Sequence, residues 1–149
     1  LFSCKEDENP PSDDDDETTE TEAEVQLDLL TAHIWVPGTI TKDAATLTAE
    51  YPYFENFTLS FSGTVNSERT NVNNGTYTTN DKGEVLPSGS WEFGSDAETE
   101  LLLTDPFNGP TEVTYSVTEN RLRLEFVRDD TNGRTEAISG QYVFDLVPQ

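Results

Sequence analysis

The chain predicts an all-β domain: an antiparallel up-and-down barrel of about eight strands, with a short helix ahead of it. Three observations carry this expectation. From Ile34 onward, apolar and polar residues alternate with a period of two, the pattern of strands with one buried and one wet face. The segments between them are short and rich in Gly, Asn and Asp, as hairpin turns are. A serial meander with one apolar face removes its exposed edges most economically by closing on itself. A β-sandwich is the alternative. It needs longer crossovers, and the only roomy connections are residues 41–55, 65–74 and 134–139.

Residues 5–24 contain almost no large apolar side chain, but hold Pro10, Pro11 and four consecutive aspartates from Asp13 to Asp16, which predicts a disordered tether. Eleven acids against Lys5 give this segment about −10 of the net −22, leaving about −12 on the rest. Twenty flexible residues span roughly 25 Å, and self-repulsion lengthens them. Residues 25–149 then form one domain with a core of its own. A helix is expected over residues 24–33, where Leu27, Leu30 and Ile34 recur at helical spacing. Residues 34–41 read as a strand with an edge or a bulge at Pro37 and Gly38. Phe57, Leu59 and Phe61 mark the next strand, Tyr77 and Thr79 a weaker one, Trp91 and Phe93 another, and Leu101 and Leu103 the one after. Val113, Tyr115 and Val117 follow, then residues 120–128 with Leu122, Leu124 and Phe126 on one face, and finally Tyr142, Phe144 and Leu146.

The first residues, Leu1-Phe2-Ser3-Cys4, resemble the lipobox that ends a bacterial lipoprotein signal peptide, with a bulky residue three before the cysteine and a small one just before it. That resemblance implies residues 1–4 are a lipobox remnant and Cys4 a lipidated anchor in a membrane. Cys4 is also the one cysteine of the chain, so an internal disulfide and any paired-thiolate metal site are excluded. The acidic run that follows resembles the surface-export signal of Bacteroidota-type lipoproteins, which implies an outer-membrane protein exposed on the cell surface. Further on come Leu29-Leu30-Thr31-Ala32-His33-Ile34-Trp35, Asn74-Gly75-Thr76-Tyr77, Gly89-Ser90-Trp91-Glu92-Phe93 and Leu101-Leu102-Leu103-Thr104. Their order over residues 26–148 resembles a lipocalin-like lipoprotein domain, in which a short helix leads into a Trp-bearing first strand. The departure is Val36-Pro37-Gly38 straight after Trp35, where that family continues a regular strand.

The resemblance implies a ligand cavity. By alternation its lining is Phe57, Leu59, Phe61, Tyr77, Trp91, Phe93, Tyr115, Leu124, Tyr142 and Phe144, although in small barrels such side chains also simply fill the interior. Tyr51, Tyr53 and Phe54, in a long connection, are a contact patch or a cap on the open end. Arg121, Arg123, Arg128 and Arg134 cluster late in the chain, either as a docking face or in cross-strand ion pairs with Glu136 or Asp145. Catalysis is not expected: His33 is the single histidine, at a helix–strand junction, and no Ser/His/Asp set assembles around it. Residues 129–133 read as a turn and not as a calcium loop. No cofactor is implied. The acidity argues against nucleic acid. Two functions follow as expectations: a binding module for a small apolar or amphipathic ligand or a glycan, or an accessory subunit docking on an outer-membrane transporter, secretion complex or surface filament.

Overall fold

The computed structural model describes residues 20–46, 56–81, 85–128 and 140–149. Among them one helix, α1 (Glu22–Thr31), precedes nine strands: β1 (Trp35–Lys42), β2 (Ala45–Thr46), β3 (Leu59–Val65), β4 (Val72–Thr79), β5 (Gly89–Phe93), β6 (Glu100–Asp105), β7 (Gly109–Val117), β8 (Leu122–Arg128) and β9 (Gly140–Pro148). From β3 to β9 each strand pairs antiparallel with the next in the chain. A ladder from Trp35 opposite Pro148 to Lys42 opposite Tyr142 joins the first strand to the last, and Trp35 opposite Leu59 links β1 to β3. The sheet is therefore an eight-stranded closed barrel, as expected, and the sandwich alternative falls away. The two-residue β2 is an addition: it pairs on β1 after a turn in which Asp43 and Ala44 both have positive φ, 51° and 72°.

The barrel strands point their apolar side chains inward at alternate positions, and among the described residues 23 buried hydrophobic ones form one core. The expected irregularity in β1 is a bulge, with the register shifting between Pro37 and Thr39 where Pro37 cannot donate to the ladder.

The helix begins at Glu22, two residues before its expected start and inside the segment read as a tether. The cause is a capping box: the Glu24 backbone N–H donates to Thr21 Oγ1 (3.2 Å), and the Thr21 N–H donates to Glu24 Oε1 (2.8 Å). The helix buries Ala23, Gln26, Leu27 and Leu30, packing on β3 and closing the lower end of the barrel. Trp35 Nε1 donates to Leu30 O (3.0 Å), which ties the end of the helix to the first strand. Arg69 forks onto Glu24 through Nε (2.9 Å) and Nη2 (2.7 Å), so the turn between β3 and β4 grips the helix start.

Candidate functional site at the upper end of the barrel

Ten side chains expected to line a cavity do point inward. Phe57, Leu59, Phe61, Tyr77, Trp91, Phe93, Tyr115, Leu124, Tyr142 and Phe144 are each at most 5% exposed. They touch one another: Phe61 meets Trp91 edge-on at 5.5 Å between ring centroids, Trp91 meets Phe93 at 5.0 Å, and Phe57 meets Phe144 at 5.3 Å. A hollow wide enough for a ligand would leave their inner faces open to water. The interior is therefore filled by its own side chains. One concavity formed by described residues, of about 610 Å³, lies between β7 and β8 and is lined by Thr111, Glu112, Glu125, Phe126, Val127 and Arg128 among others. Cys4, Tyr51, Tyr53, Phe54 and Arg134 lie outside the described residues.

The two ends of the filled barrel differ in chemistry. At the lower end the polar groups are paired: the Tyr115 hydroxyl donates towards Gln26 Oε1 (3.0 Å) and makes a short bond to Ala97 O, and Trp91 Nε1 donates to Ser62 O (3.0 Å). Burial, with Asp96, Glu98 and Glu22 nearby, pushes the Tyr115 phenol far above its ordinary range. The Arg69 fork holds the Glu24 carboxyl down at about 2. The Glu22 carboxyl is raised, chiefly by a hydrogen bond with Glu98. His33 stands edge-on to Trp35 at 5.3 Å, a packing role.

At the upper end an ion pair is buried. Arg128 and Asp105 are each 4% exposed, with Nη2 to Oδ2 at 3.8 Å. Arg128 Nε donates to Val85 O (2.7 Å) and Nη1 to Thr111 Oγ1 (2.7 Å), and the guanidinium carbon lies 4.7 Å from the centroid of the Phe126 ring. Asp105 Oδ1 accepts from the N–H groups of Phe107 and Asn108, both at 2.7 Å, so the same carboxylate shapes the β6–β7 turn. Tyr77 projects beside this pair. Its hydroxyl is buried without a hydrogen-bond partner, and burial followed by the charge of Asp105 pushes its phenol far above the usual range, against a smaller opposing pull from Arg128. The chain matches no protein-family model and no curated sequence.

Above the cluster lies Val85-Leu86, 2% and 0% exposed, inserted into the barrel mouth from the β4–β5 connection. Side chains satisfy all four of its backbone polar groups. Asp81 Oδ2 accepts from the Val85 N–H (3.0 Å) and the Leu86 N–H (2.7 Å), Arg128 Nε donates to Val85 O, and Thr79 Oγ1 donates to Leu86 O (2.6 Å).

The arginines divide as two groups. Arg121 forks onto Asp145, the ion pairing expected for that residue, and lowers the Asp145 carboxyl; Arg123 reaches Glu125 at 3.4 Å. Arg128 belongs neither to a docking face nor to a surface pair, because it shares the inward parity of Leu122, Leu124 and Phe126. That parity was the signal for it. Val85-Leu86 carried none, being two apolar residues beside Pro87 with no period. Among the described residues no set of three or more His, Cys, Asp or Glu side chains could hold a metal ion, and no helix is long and apolar enough to cross a membrane.

Proposed function

We propose that this protein is a non-enzymatic binding module, held at the bacterial outer membrane by a lipid on Cys4 and exposed at the cell surface on its acidic tether, that receives a small apolar or amphipathic ligand at the upper end of its barrel. The anchor and location rest on the lipobox resemblance and the acidic run. The observation that carries the binding site is the asymmetry of the ends. The lower end is sealed by a capped helix with paired polar groups, whereas the upper end is stoppered by a dipeptide over a buried Arg128–Asp105 pair and an unpaired Tyr77 hydroxyl. A barrel needing only a core has no use for those groups, since apolar residues of similar volume are as stabilising.

A second reading keeps the interior permanently closed and docks the outer wall on an outer-membrane complex. It is favoured by Val127 and Phe107, 64% and 56% exposed near the same upper end. Native mass spectrometry of the protein purified from its producing bacterium, compared with the denatured sample, separates the two. Extra mass of a few hundred daltons that is lost on denaturation supports the ligand reading. A bare protein mass, with a photocrosslinker at position 127 trapping one outer-membrane protein that a crosslinker at Ser62 misses, supports docking.

A further inference from the structure

We infer that Val85-Leu86 is a displaceable stopper occupying the ligand's place, and that the ligand is a neutral acyl ester. This deepens, and rests on, the binding-module reading above.

The stopper is held as a guest is held. A dipeptide that belonged to the sheet would pair its backbone with a neighbouring strand, yet here each backbone N–H and C=O is met by a side chain: Asp81 twice, Arg128 and Thr79 once each. Its two side chains fill the mouth above the aromatic core. The occupant is therefore an apolar body presenting two neutral carbonyl oxygens to an arginine and a threonine, and a replacement must offer the same. The pair beneath decides the charge of that replacement. Arg128 is already neutralised by Asp105 and engaged by Thr111, so a carboxylate arriving there would add an uncompensated buried charge beside Asp105. A neutral carbonyl would take over the Nε–H that Val85 O now accepts. Tyr77 adds the last requirement. Its buried hydroxyl is a donor that the dipeptide leaves unused, so the preferred guest carries a third acceptor beside the two that meet Arg128 and Thr79. An acyl ester of a polyol has an apolar chain, a carbonyl oxygen, a second oxygen next to it and a neighbouring hydroxyl oxygen.

Binding then competes with the stopper, and the apparent affinity is reduced by the fraction of molecules in which it is seated. Asp81 holds the stopper without belonging to the cluster below, so Asp81→Ala loosens the seat and spares the site.

The test is a titration of the full chain with 1-monooctanoylglycerol, whose acyl chain is close in size to the two side chains it replaces, read by native mass spectrometry, with octanoic acid and 1-octanol as comparisons. The wild type should bind one monooctanoylglycerol, and Asp81→Ala should bind it about tenfold more tightly, because two hydrogen bonds to the stopper are gone. Adding Tyr77→Phe to that variant should weaken the ester about tenfold and leave the alcohol unchanged. Octanoic acid at pH 8 should bind more weakly than the ester. Asp81→Asn, which keeps an oxygen to accept but removes the charge behind both bonds to the stopper, gives a second loosened stopper that spares the groups below if Asp81→Ala melts early by circular dichroism. Equal ester affinity in the wild type and both loosened variants overturns the inference, as does a Tyr77→Phe change with no effect on the ester. If that happens while the protein from its own bacterium still carries other cargo, the binding-module reading survives; if that protein is also bare, both fall.

Discussion

Two tyrosines of nearly equal burial should respond to the same substitution with opposite signs. Tyr77 and Tyr115 are 1% and 4% exposed, both project into the barrel, and both phenols are raised by burial. They differ in one respect. The Tyr115 hydroxyl donates to Ala97 O and Gln26 Oε1 at the lower end, whereas the Tyr77 hydroxyl has no partner at the upper end. Tyr115→Phe removes the single proton that these two acceptors share and leaves at least one of them unserved, and that should destabilise the fold by about 1–3 kcal/mol. Tyr77→Phe removes a polar atom that burial has stripped of water and nothing has repaid, and should stabilise by about 1 kcal/mol. In a domain of this size the second change raises the melting temperature by about 3 °C. Urea unfolding followed by tryptophan fluorescence reads both, since Trp35 and Trp91 lie in the core. A Tyr77→Phe protein less stable than the wild type by about 1 kcal/mol or more would show that the hydroxyl is paired in solution, and the argument from an unused donor would fail with it.

Removing one member of the buried pair, by Arg128→Met or Asp105→Asn, should destabilise by about 3–5 kcal/mol in the same urea assay, because the other charge is left buried, while Arg128→Met with Asp105→Leu should cost much less than the sum. Alkaline unfolding should report the two raised phenols. Each is neutral when folded at a pH where the unfolded chain ionises, so their contribution is complete below about pH 10 and declines above it, reaching a loss of about 3 kcal/mol for the pair by pH 11; a flat stability between pH 9 and 11 would contradict it. Glu24, held at about 2 by Arg69, works in the other direction: its stabilisation is present above its unfolded value and lost as acid approaches pH 2, so Glu24→Gln should flatten the acid limb of the melting curve. Thr21→Ala should lower stability by about 1 kcal/mol through loss of the helix cap, seen as faster amide exchange in the first turn of α1.

The strands were legible because a half-buried sheet writes its geometry directly into the chain. Leu122, Leu124 and Phe126 against Arg121, Arg123 and Glu125 gave both the strand and the direction of every side chain. The same parity placed Arg128 inside, but a charge at a strand end reads first as surface, and only the buried Asp105 arriving from β6 makes the inward position tenable. The helix start was present as Thr21-Glu22-Ala23-Glu24, a capping box hidden in an acidic run whose composition points to a tether. The small strand β2 left no trace, because its turn takes positive φ at Asp43 and Ala44, where glycine or asparagine would have marked it. Whether the barrel is hollow cannot be read from alternation at all. Alternation fixes which side chains point inward; whether they meet depends on their combined volume and on the loops that enter from the ends, as Val85-Leu86 does here.

That last dependence links the fold to the proposed chemistry. The barrel wall is a closed sheet in which many backbone groups are paired strand to strand, so those groups give little for a guest to hold. The lower end is spent on holding α1. At the upper end, among the described residues, a buried ion pair and its partners turn inward, and each comes from a different place in the chain: Thr79 from β4, Asp105 from β6, Thr111 from β7 and Arg128 from β8. Convergence of this kind is expensive, because an isolated buried charge or hydroxyl weakens the fold unless all its partners arrive together. A sequence selected for stability alone would fill these positions with apolar side chains, as most of the described core is filled. The polar groups at the mouth, and the dipeptide they hold in place of a strand, are what a binding function requires and a core does not.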